Sequence, residues 1–255
     1  MSRRFGDAIL EVQDLHTHIF TRWGVVKAVD GVSFSLRQGE TLGIVGESGC
    51  GKTMTALSLL RLVPKRNGRI MSGKILLEGE NLLEKSEREM RRIRGRKVSM
   101  ILQDPQTSLN PVFTIGSQII EAIQIHHRAG YRRLLQRAIH VLRGVKVADP
   151  ERCVDAYPHQ LSGGMKQRVV GAIAVSCEPH ILIADEPTSL LDVTIQAQYL
   201  RLLREIQEER GLSLIFITHD FGIVAKMCNR VMIMYAGRIM ESGPGRGIFN
   251  RPAHP

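Results

Sequence analysis

Cysteine is sparse in this 255-residue sequence: four residues, at 50, 153, 177 and 228, none paired as CxxC. Neither a zinc cluster nor a disulfide framework is therefore expected, and a reducing, cytosolic setting fits best. No stretch approaches 18 predominantly apolar residues, so the chain is not expected to cross a bilayer by itself. The start, Met1-Ser2-Arg3-Arg4-Phe5, runs into Asp7 and Glu11 without an apolar core, which is not the pattern of a secretory signal. Internal repeats, low-complexity tracts and Pro/Gly/Ser-rich linkers are missing too, so any second lobe has to be an insertion. Acids are outnumbered: 35 Lys and Arg against 25 Asp and Glu leave a formal charge of +10. That excess suits nucleic acid or an anionic membrane face, and equally a merely solvated surface.

Hydrophobic residues at 43% and charged residues at 24% belong to a folded protein and exclude disorder as the main state. The length suits one large α/β domain, or one domain with a smaller inserted lobe. Strands are expected at Leu10-Glu11-Val12, at Val32-Ser33-Phe34-Ser35-Leu36 and at Thr41-Leu42-Gly43-Ile44-Val45. Residues 86 to 165 read as mostly helical. The segment Ser86 to Lys97 is heavily charged, and Leu134, Ala138, Val141 and Leu142 fall at i, i+4, i+7 and i+8. Beyond 165, Ile181-Leu182-Ile183-Ala184-Asp185, Leu214-Ile215-Phe216-Ile217 and Val231-Met232-Ile233-Met234-Tyr235 read as buried parallel strands. A covering helix carries Tyr199, Leu202, Leu203 and Ile206. Together these describe an α/β nucleotide-binding core with an α-rich lobe.

Gly46-Glu47-Ser48-Gly49-Cys50-Gly51-Lys52-Thr53 fits the phosphate-loop pattern GxxxxGK[ST], placed between a strand and a helix. Its glycines let successive N–H groups turn toward a phosphate, and the helix N-terminus adds a favourable dipole. Lys52 can reach the β- and γ-phosphates and the Thr53 hydroxyl can ligate Mg²⁺. The strand 181–185 ends in Asp185 and Glu186; beside such a loop the first acid suits Mg²⁺ and the second can polarise an attacking water. Leu161-Ser162-Gly163-Gly164-Met165 precedes a helix from Lys166 to Ala174, with Ser162 in the N-cap position. One chain with one triphosphate does not need two phosphate cradles. The second therefore reads as serving the nucleotide of another subunit.

In this order the motifs resemble the ATP-binding subunit of an ABC transporter over nearly the whole chain. The resemblance implies a P-loop ABC ATPase core, residues 1–95 and 166–255, with an antiparallel β subdomain and a helical insert at about 96–165. It makes Gln103 the Q-loop glutamine, a sensor of Mg²⁺ and of the attacking water. It makes Glu186 the general base and His219 the switch residue at the γ-phosphate. Leu161, Ser162, Gly163, Gly164 and Met165 become the signature that completes a facing subunit's site, and Asp192 lies at the dimer seam. Mg²⁺ falls to Thr53, Gln103 and Asp185. The adenine would stack on an aromatic of the first strands, and Phe20 and Trp23 are equal candidates.

The finer resemblance is to the oligopeptide, dipeptide and nickel importer group. Gln103-Asp104-Pro105-Gln106-Thr107-Ser108-Leu109-Asn110-Pro111, Tyr157-Pro158-His159-Gln160, Asp192-Val193-Thr194-Ile195-Gln196-Ala197-Gln198 and Tyr235-Ala236-Gly237-Arg238 carry it. It implies ATP hydrolysis driving import of a peptide or metal chelate at the cytoplasmic face of the membrane. The implied partners are a second ATPase subunit, identical or homologous, two permease subunits and, indirectly, an extracytoplasmic solute-binding protein. Two alternatives are an ABC ATPase acting on nucleic acid or ribosomes and a subunit that binds ATP with little turnover. Neither long coiled-coil insertions nor a tandem ATPase domain supports the first, and no nucleic acid is expected as a partner. Three departures from the family pattern stand out: Leu190 where a small residue is usual, Met165 where glutamine is commonest, and an end at Arg251-Pro252-Ala253-His254-Pro255 without a cysteine cluster for iron–sulfur ligation.

Overall fold

A computed structural model describes residues 7–250 and 253. Residues 1–6, with the start Met1-Ser2-Arg3-Arg4-Phe5, and residues 251, 252, 254 and 255 lie outside the described residues. In chain order the elements are β1 (Ala8–Thr21), β2 (Gly24–Arg37), β3 (Thr41–Val45), α1 (Lys52–Leu59), β4 (Gly68–Leu77), β5 (Glu80–Asn81), α2 (Glu87–Ile93), β6 (Val98–Ile101), α3 (Pro105–Ser108), α4 (Ile115–Gln124), α5 (Tyr131–Gly144), α6 (Pro150–Cys153), α7 (Gly163–Val175), β7 (Ile181–Asp185), α8 (Val193–Arg210), β8 (Ser213–Thr218), α9 (Phe221–Met227), β9 (Arg230–Tyr235), β10 (Arg238–Pro244) and α10 (Gly245–Asn250). They form two compact units, Met1–Arg91 with Ser213–Pro255, and Arg92–Leu212.

In the first unit β1 and β2 make one long antiparallel hairpin that turns at Arg22-Trp23, between the paired Thr21 and Gly24. Here the structure departs from the short segments expected at 10–12 and 32–36. The β-branched residues Val25, Val26, Val29 and Val32 sustain strand geometry well past the apolar runs. Alternation puts Leu10, Val12, Leu15, Val29, Val32 and Leu36 inside, all at most 2% exposed. Strand β4 pairs antiparallel with β1 on its other side, so the sheet runs β2-β1-β4-β5. Strand β3 is buried along its whole length because both edges are taken: it pairs in parallel with β8 and with β9, and β10 adds antiparallel to β9. The parallel arrangement expected for 214–217 and 231–235 is thus observed.

In the second unit β6 and β7 pair in parallel, Val98 opposite Ile181 through Ile101 opposite Ala184. Strand β6 interrupts the otherwise helical stretch expected from 86 to 165. Four residues are too few for an alternation signal, and the neighbouring charge run masks it. The helices bury the stripes that the spacing indicates: Leu134, Ala138, Val141 and Leu142 on α5, and Tyr199, Leu202, Leu203 and Ile206 on α8. Helices α7 and α8 approach closely because the facing residues are small. A Cβ on Gly164 would sit 2.9 Å from Ile195 Cγ2, and one on Gly171 would sit 2.9 Å from the Tyr199 hydroxyl.

Candidate nucleotide site

The phosphate loop hangs between the buried strand β3 and α1. Gly46 and Gly51 are the positions where only glycine fits. A Cβ on Gly46 would lie 2.2 Å from the Met234 carbonyl oxygen, and one on Gly51 would lie 2.2 Å from that of Ala28. Gly51 also has φ +109°, a conformation L side chains rarely adopt. The loop is tied down from outside by Gly237 N–H, which donates to Cys50 O at 2.9 Å, and by Thr55, whose hydroxyl donates to Gly51 O at 2.9 Å. Ahead of these anchors Glu47, Ser48 and Gly49 are exposed.

Lys52 curls back over the loop. Its ammonium donates to Gly46 O at 2.7 Å and Glu47 O at 2.8 Å, and the residue is only 5% exposed. Cys50 is buried, with its Sγ 3.9 Å from the same ammonium. Helix α1 begins without a side-chain cap and without an acidic residue in its first turn. Its first N–H groups are therefore left for an acceptor from outside the protein, beside a fixed positive charge. Thr53, next on the helix, is exposed. A carboxylate cap would repel a phosphate here, so its absence fits an anion cradle.

The second unit holds the acidic and signature residues. Strand β7 is wholly buried and ends on Asp185, 1% exposed. Glu186 follows at φ +43°, an uncommon conformation that turns the chain sharply off the strand. Its Oε2 accepts a hydrogen bond from Gln103 Nε2 at 3.0 Å, joining residues 83 positions apart in sequence. Ser189 ties the turn back on itself, its hydroxyl donating to Glu186 O at 3.1 Å. Asp192 caps α8, accepting from the N–H groups of Thr194 and Ile195 at 3.1 and 3.0 Å. Gln196, one turn further, donates to the buried Thr188 hydroxyl at 3.1 Å. Leu190, the departure from the small-residue pattern, is 64% exposed.

The signature opens α7, which starts at Gly163, three residues earlier than expected. Ser162 is its N-cap as expected, with Oγ accepting from Met165 N–H at 3.3 Å. Leu161 is buried beneath the turn, while Ser162 and Gly163 are exposed. Like α1, α7 has no acidic residue in its first turn. In the first unit His219 is exposed just past β8, ahead of Asp220, which caps α9 through Ile223 N–H at 3.1 Å. Both aromatic candidates are exposed: Phe20 at 39%, with the Arg69 guanidinium 5.6 Å from its ring, and Trp23 at 83%, with that of Arg22 at 4.5 Å. Neither is core, so burial excludes neither as the stacking residue.

Thus Lys52, Thr53, His219, Phe20 and Trp23 lie in one unit, and Gln103, Asp185, Glu186, Asp192 and the signature lie in the other. Motif reading did not foresee the lysine's grip on Gly46 and Glu47 or the link between Gln196 and Thr188. Side chains that meet main chain or distant hydroxyls leave no spacing signature.

A strand, a glycine loop with its lysine on the loop carbonyls, and an uncapped helix define a P-loop nucleotide-binding protein of mixed α/β architecture. The model of the ABC transporter family matches residues 29–189. The chain is 53% identical over 249 residues to the probable peptide ABC transporter ATP-binding protein y4tR of Sinorhizobium fredii, covering 98% of this chain and 74% of that protein. With the dipeptide transport ATP-binding protein DppD of Bacillus subtilis it shares 49% identity over the same shares of both chains. Among solved structures, a dimeric ATP-binding cassette, MJ0796, bound to ADP and Pi, superposes with a TM-score of 0.82 at 24% identity, over 93% of this chain and 99% of that one. CbiO1 of Clostridium perfringens, part of the ABC transporter complex CbiONQ, gives 0.81 at 26% identity, over 96% and 92%. The chain belongs to the ABC transporter ATP-binding family, and within it to the oligopeptide and dipeptide importer group. It is an ATP-hydrolysing subunit of that family.

Proposed function

We propose that this chain powers the import of peptides through a membrane ABC transporter. The observation that carries the ATP-binding half of this reading is the Lys52 ammonium held over an uncapped helix start. The cargo is proposed from the relatives, which are named for peptide and dipeptide transport. Those names lend nothing to the alternative of action on nucleic acid or ribosomes. The proposed domain organisation is a single ABC ATP-binding domain, with a core at 1–95 and 166–255 and a helical insert at about 96–165.

The residues assign themselves to steps by their chemistry. Lys52 and the N–H groups of 46–53 grip the β- and γ-phosphates, exchanging loop carbonyls for phosphate oxygens. The donors suited to Mg²⁺ are hard oxygens: the Thr53 hydroxyl, the Asp185 carboxylate and the Gln103 amide oxygen, whose Nε2 is already committed to Glu186. Bound there, Mg²⁺ would neutralise charge on the phosphates. Glu186 takes the proton from the attacking water, and the Gln103 bond holds its carboxylate for that task. His219 meets the γ-phosphate, and Phe20 or Trp23 stacks on adenine.

Leu161, Ser162, Gly163, Gly164 and Met165 of one copy face the triphosphate held by another, with Asp192 at the seam. The start of α7 is a second cradle in a chain that needs only one for its own nucleotide, which supports this pairing. Closure then follows ATP binding, because the γ-phosphate is satisfied only when both half-sites reach it. The partners proposed are a second ATPase subunit, two permeases and an extracytoplasmic solute-binding protein, at the cytoplasmic face of the membrane. No helix among the described residues is long and apolar enough to span a bilayer.

The test is reconstitution with the co-expressed permeases in vesicles. Peptide and its binding protein should raise ATP turnover and drive peptide uptake. Turnover that ignores peptide, or uptake without ATP, would overturn the reading.

A further inference from the structure

His16 and His18 stand two residues apart on β1, so their side chains leave the same face of the sheet. Thr17, between them, points inward and shares a 2.8 Å hydrogen bond with the Ser58 hydroxyl. Asp30 of β2 is the register partner of His16. One ring nitrogen of each histidine and one carboxylate oxygen of Asp30 lie within 4.8 Å of one another, all on half-buried residues. None of these three residues belongs to the phosphate loop or to the signature.

Three details favour a ligand set over a chance cluster. First, His16 Nδ1 and Asp30 Oδ1 are 3.2 Å apart. Two ligands each at about 2.0–2.1 Å from a tetrahedral Zn²⁺ stand close to that distance from one another. Second, His16 Nε2 lies 3.1 Å from Asp14 Oδ1. A carboxylate on the far ring nitrogen sets the tautomer and ring orientation of a metal-bound histidine and raises its basicity. Third, His18 Nε2 is buried and lacks a hydrogen-bond partner, a polar atom whose lone pair, when the nitrogen is unprotonated, a cation would satisfy. The carboxylate itself is fixed: Arg238 donates to Asp30 Oδ2 from Nε at 2.9 Å and from Nη2 at 2.6 Å, which leaves Oδ1 for the histidine side. Arg238, through its hydrogen bonds and charge, together with Lys27 and His16, holds the Asp30 carboxyl below the usual carboxylate range, so it is present as the anion.

We propose that His16, His18 and Asp30 bind a first-row divalent cation of borderline softness, with Zn²⁺ as the probe and Asp14 as the carboxylate that positions His16. Two imidazoles and one carboxylate suit Zn²⁺ and leave the remaining position to water.

The test is Zn²⁺ titration of the full, nucleotide-free chain by calorimetry, with X-ray absorption of the loaded wild type. One equivalent should bind, with a first shell of nitrogen and oxygen and no sulfur. His18→Asn should abolish that equivalent, and Asp14→Asn should weaken it about 10–100-fold. Retained ADP binding shows that the variants are folded, and the absorption measurement needs no variant at all. No stoichiometric Zn²⁺ on the wild type, sulfur in its shell, or an equivalent untouched in folded His18→Asn would each overturn the proposal.

Discussion

Replacing Lys52 by alanine separates what its ammonium does for the loop from what it does for a phosphate. Without nucleotide the group already makes two short bonds, to Gly46 O at 2.7 Å and Glu47 O at 2.8 Å. Binding therefore exchanges neutral acceptors for a charged one rather than creating contacts from nothing. Hydrogen bonds to charged groups contribute about 1.5–3 kcal/mol, so the variant should lose about 10–150-fold in affinity for any nucleotide with a β-phosphate. ADP against AMP is the appropriate pair, because neither is consumed. AMP does not reach the ammonium and should shift by less than about threefold. Stability without nucleotide should fall by only about 1 kcal/mol: Glu47 is exposed and water replaces the lysine there, leaving Gly46 O as the acceptor that loses most. Calorimetric titration measures the affinities, and thermal melting shows that the variant is folded. An ADP affinity within about threefold of wild type would refute the argument and reduce Lys52 to a clasp that shapes its own loop.

Glu186→Gln should keep ATP binding while slowing turnover by about a hundredfold or more, since the amide keeps the shape but takes no proton; single-turnover hydrolysis measures it, and a normal rate would reassign the base. Of the two aromatics, one of Phe20→Leu and Trp23→Leu should weaken ATP by roughly 1–3 kcal/mol, the usual worth of a base stacked on an aromatic ring; equal, small losses in both would remove the stacking role from this hairpin. His127 has its pKa lowered below the usual imidazole value by burial, assisted by Arg137 and Arg96. Above about pH 6.5 it is neutral folded and unfolded alike and contributes no pH dependence. As the pH falls through that value the unfolded chain takes up the proton first, so the fold loses stability until its own His127 is protonated. The stability gap between wild type and His127→Gln, read by denaturant unfolding, should shift against the wild type as the pH falls below about 6.5; a pH-independent gap would contradict it.

How much of this was readable in advance depended on whether the signal was local. The phosphate loop is local in the strict sense: eight consecutive residues define a strand end, a turn and a helix start, and two glycines sit where a Cβ would strike Met234 O and Ala28 O. The apolar stripes of α5 and α8 are similarly local, because a helix repeats its environment every few residues. The hairpin of β1 and β2 was seen only in pieces. Its distal half, beyond Val29, projects away from the core, so Val25 and Val26 are 54% exposed and no alternation marks them. Strand β6 was missed for the opposite reason: pairing with β7 holds it in place, and that partner lies some eighty residues downstream.

The same distinction separates the residues from the contacts they make. Gln103 and Glu186 were both nominated by sequence, yet the 3.0 Å bond between them follows from a backbone conformation at Glu186 that no spacing rule predicts. A residue at φ +43° costs of order 1–3 kcal/mol unless its surroundings hold it. Here the surroundings are identifiable: the buried strand on one side, and on the other Ser189, whose N–H and hydroxyl both reach Glu186 O at 3.3 and 3.1 Å. The motif supplies the carboxylate, and the turn after β7 aims it. Glu186→Gly would relieve the strain and delete the base, so it cannot separate the two roles. Ser189→Ala can, because it leaves Glu186 in place and removes one of the two bonds that pin its carbonyl. If aim matters, turnover falls while ATP affinity holds, and if it does not, both stay at the wild-type values.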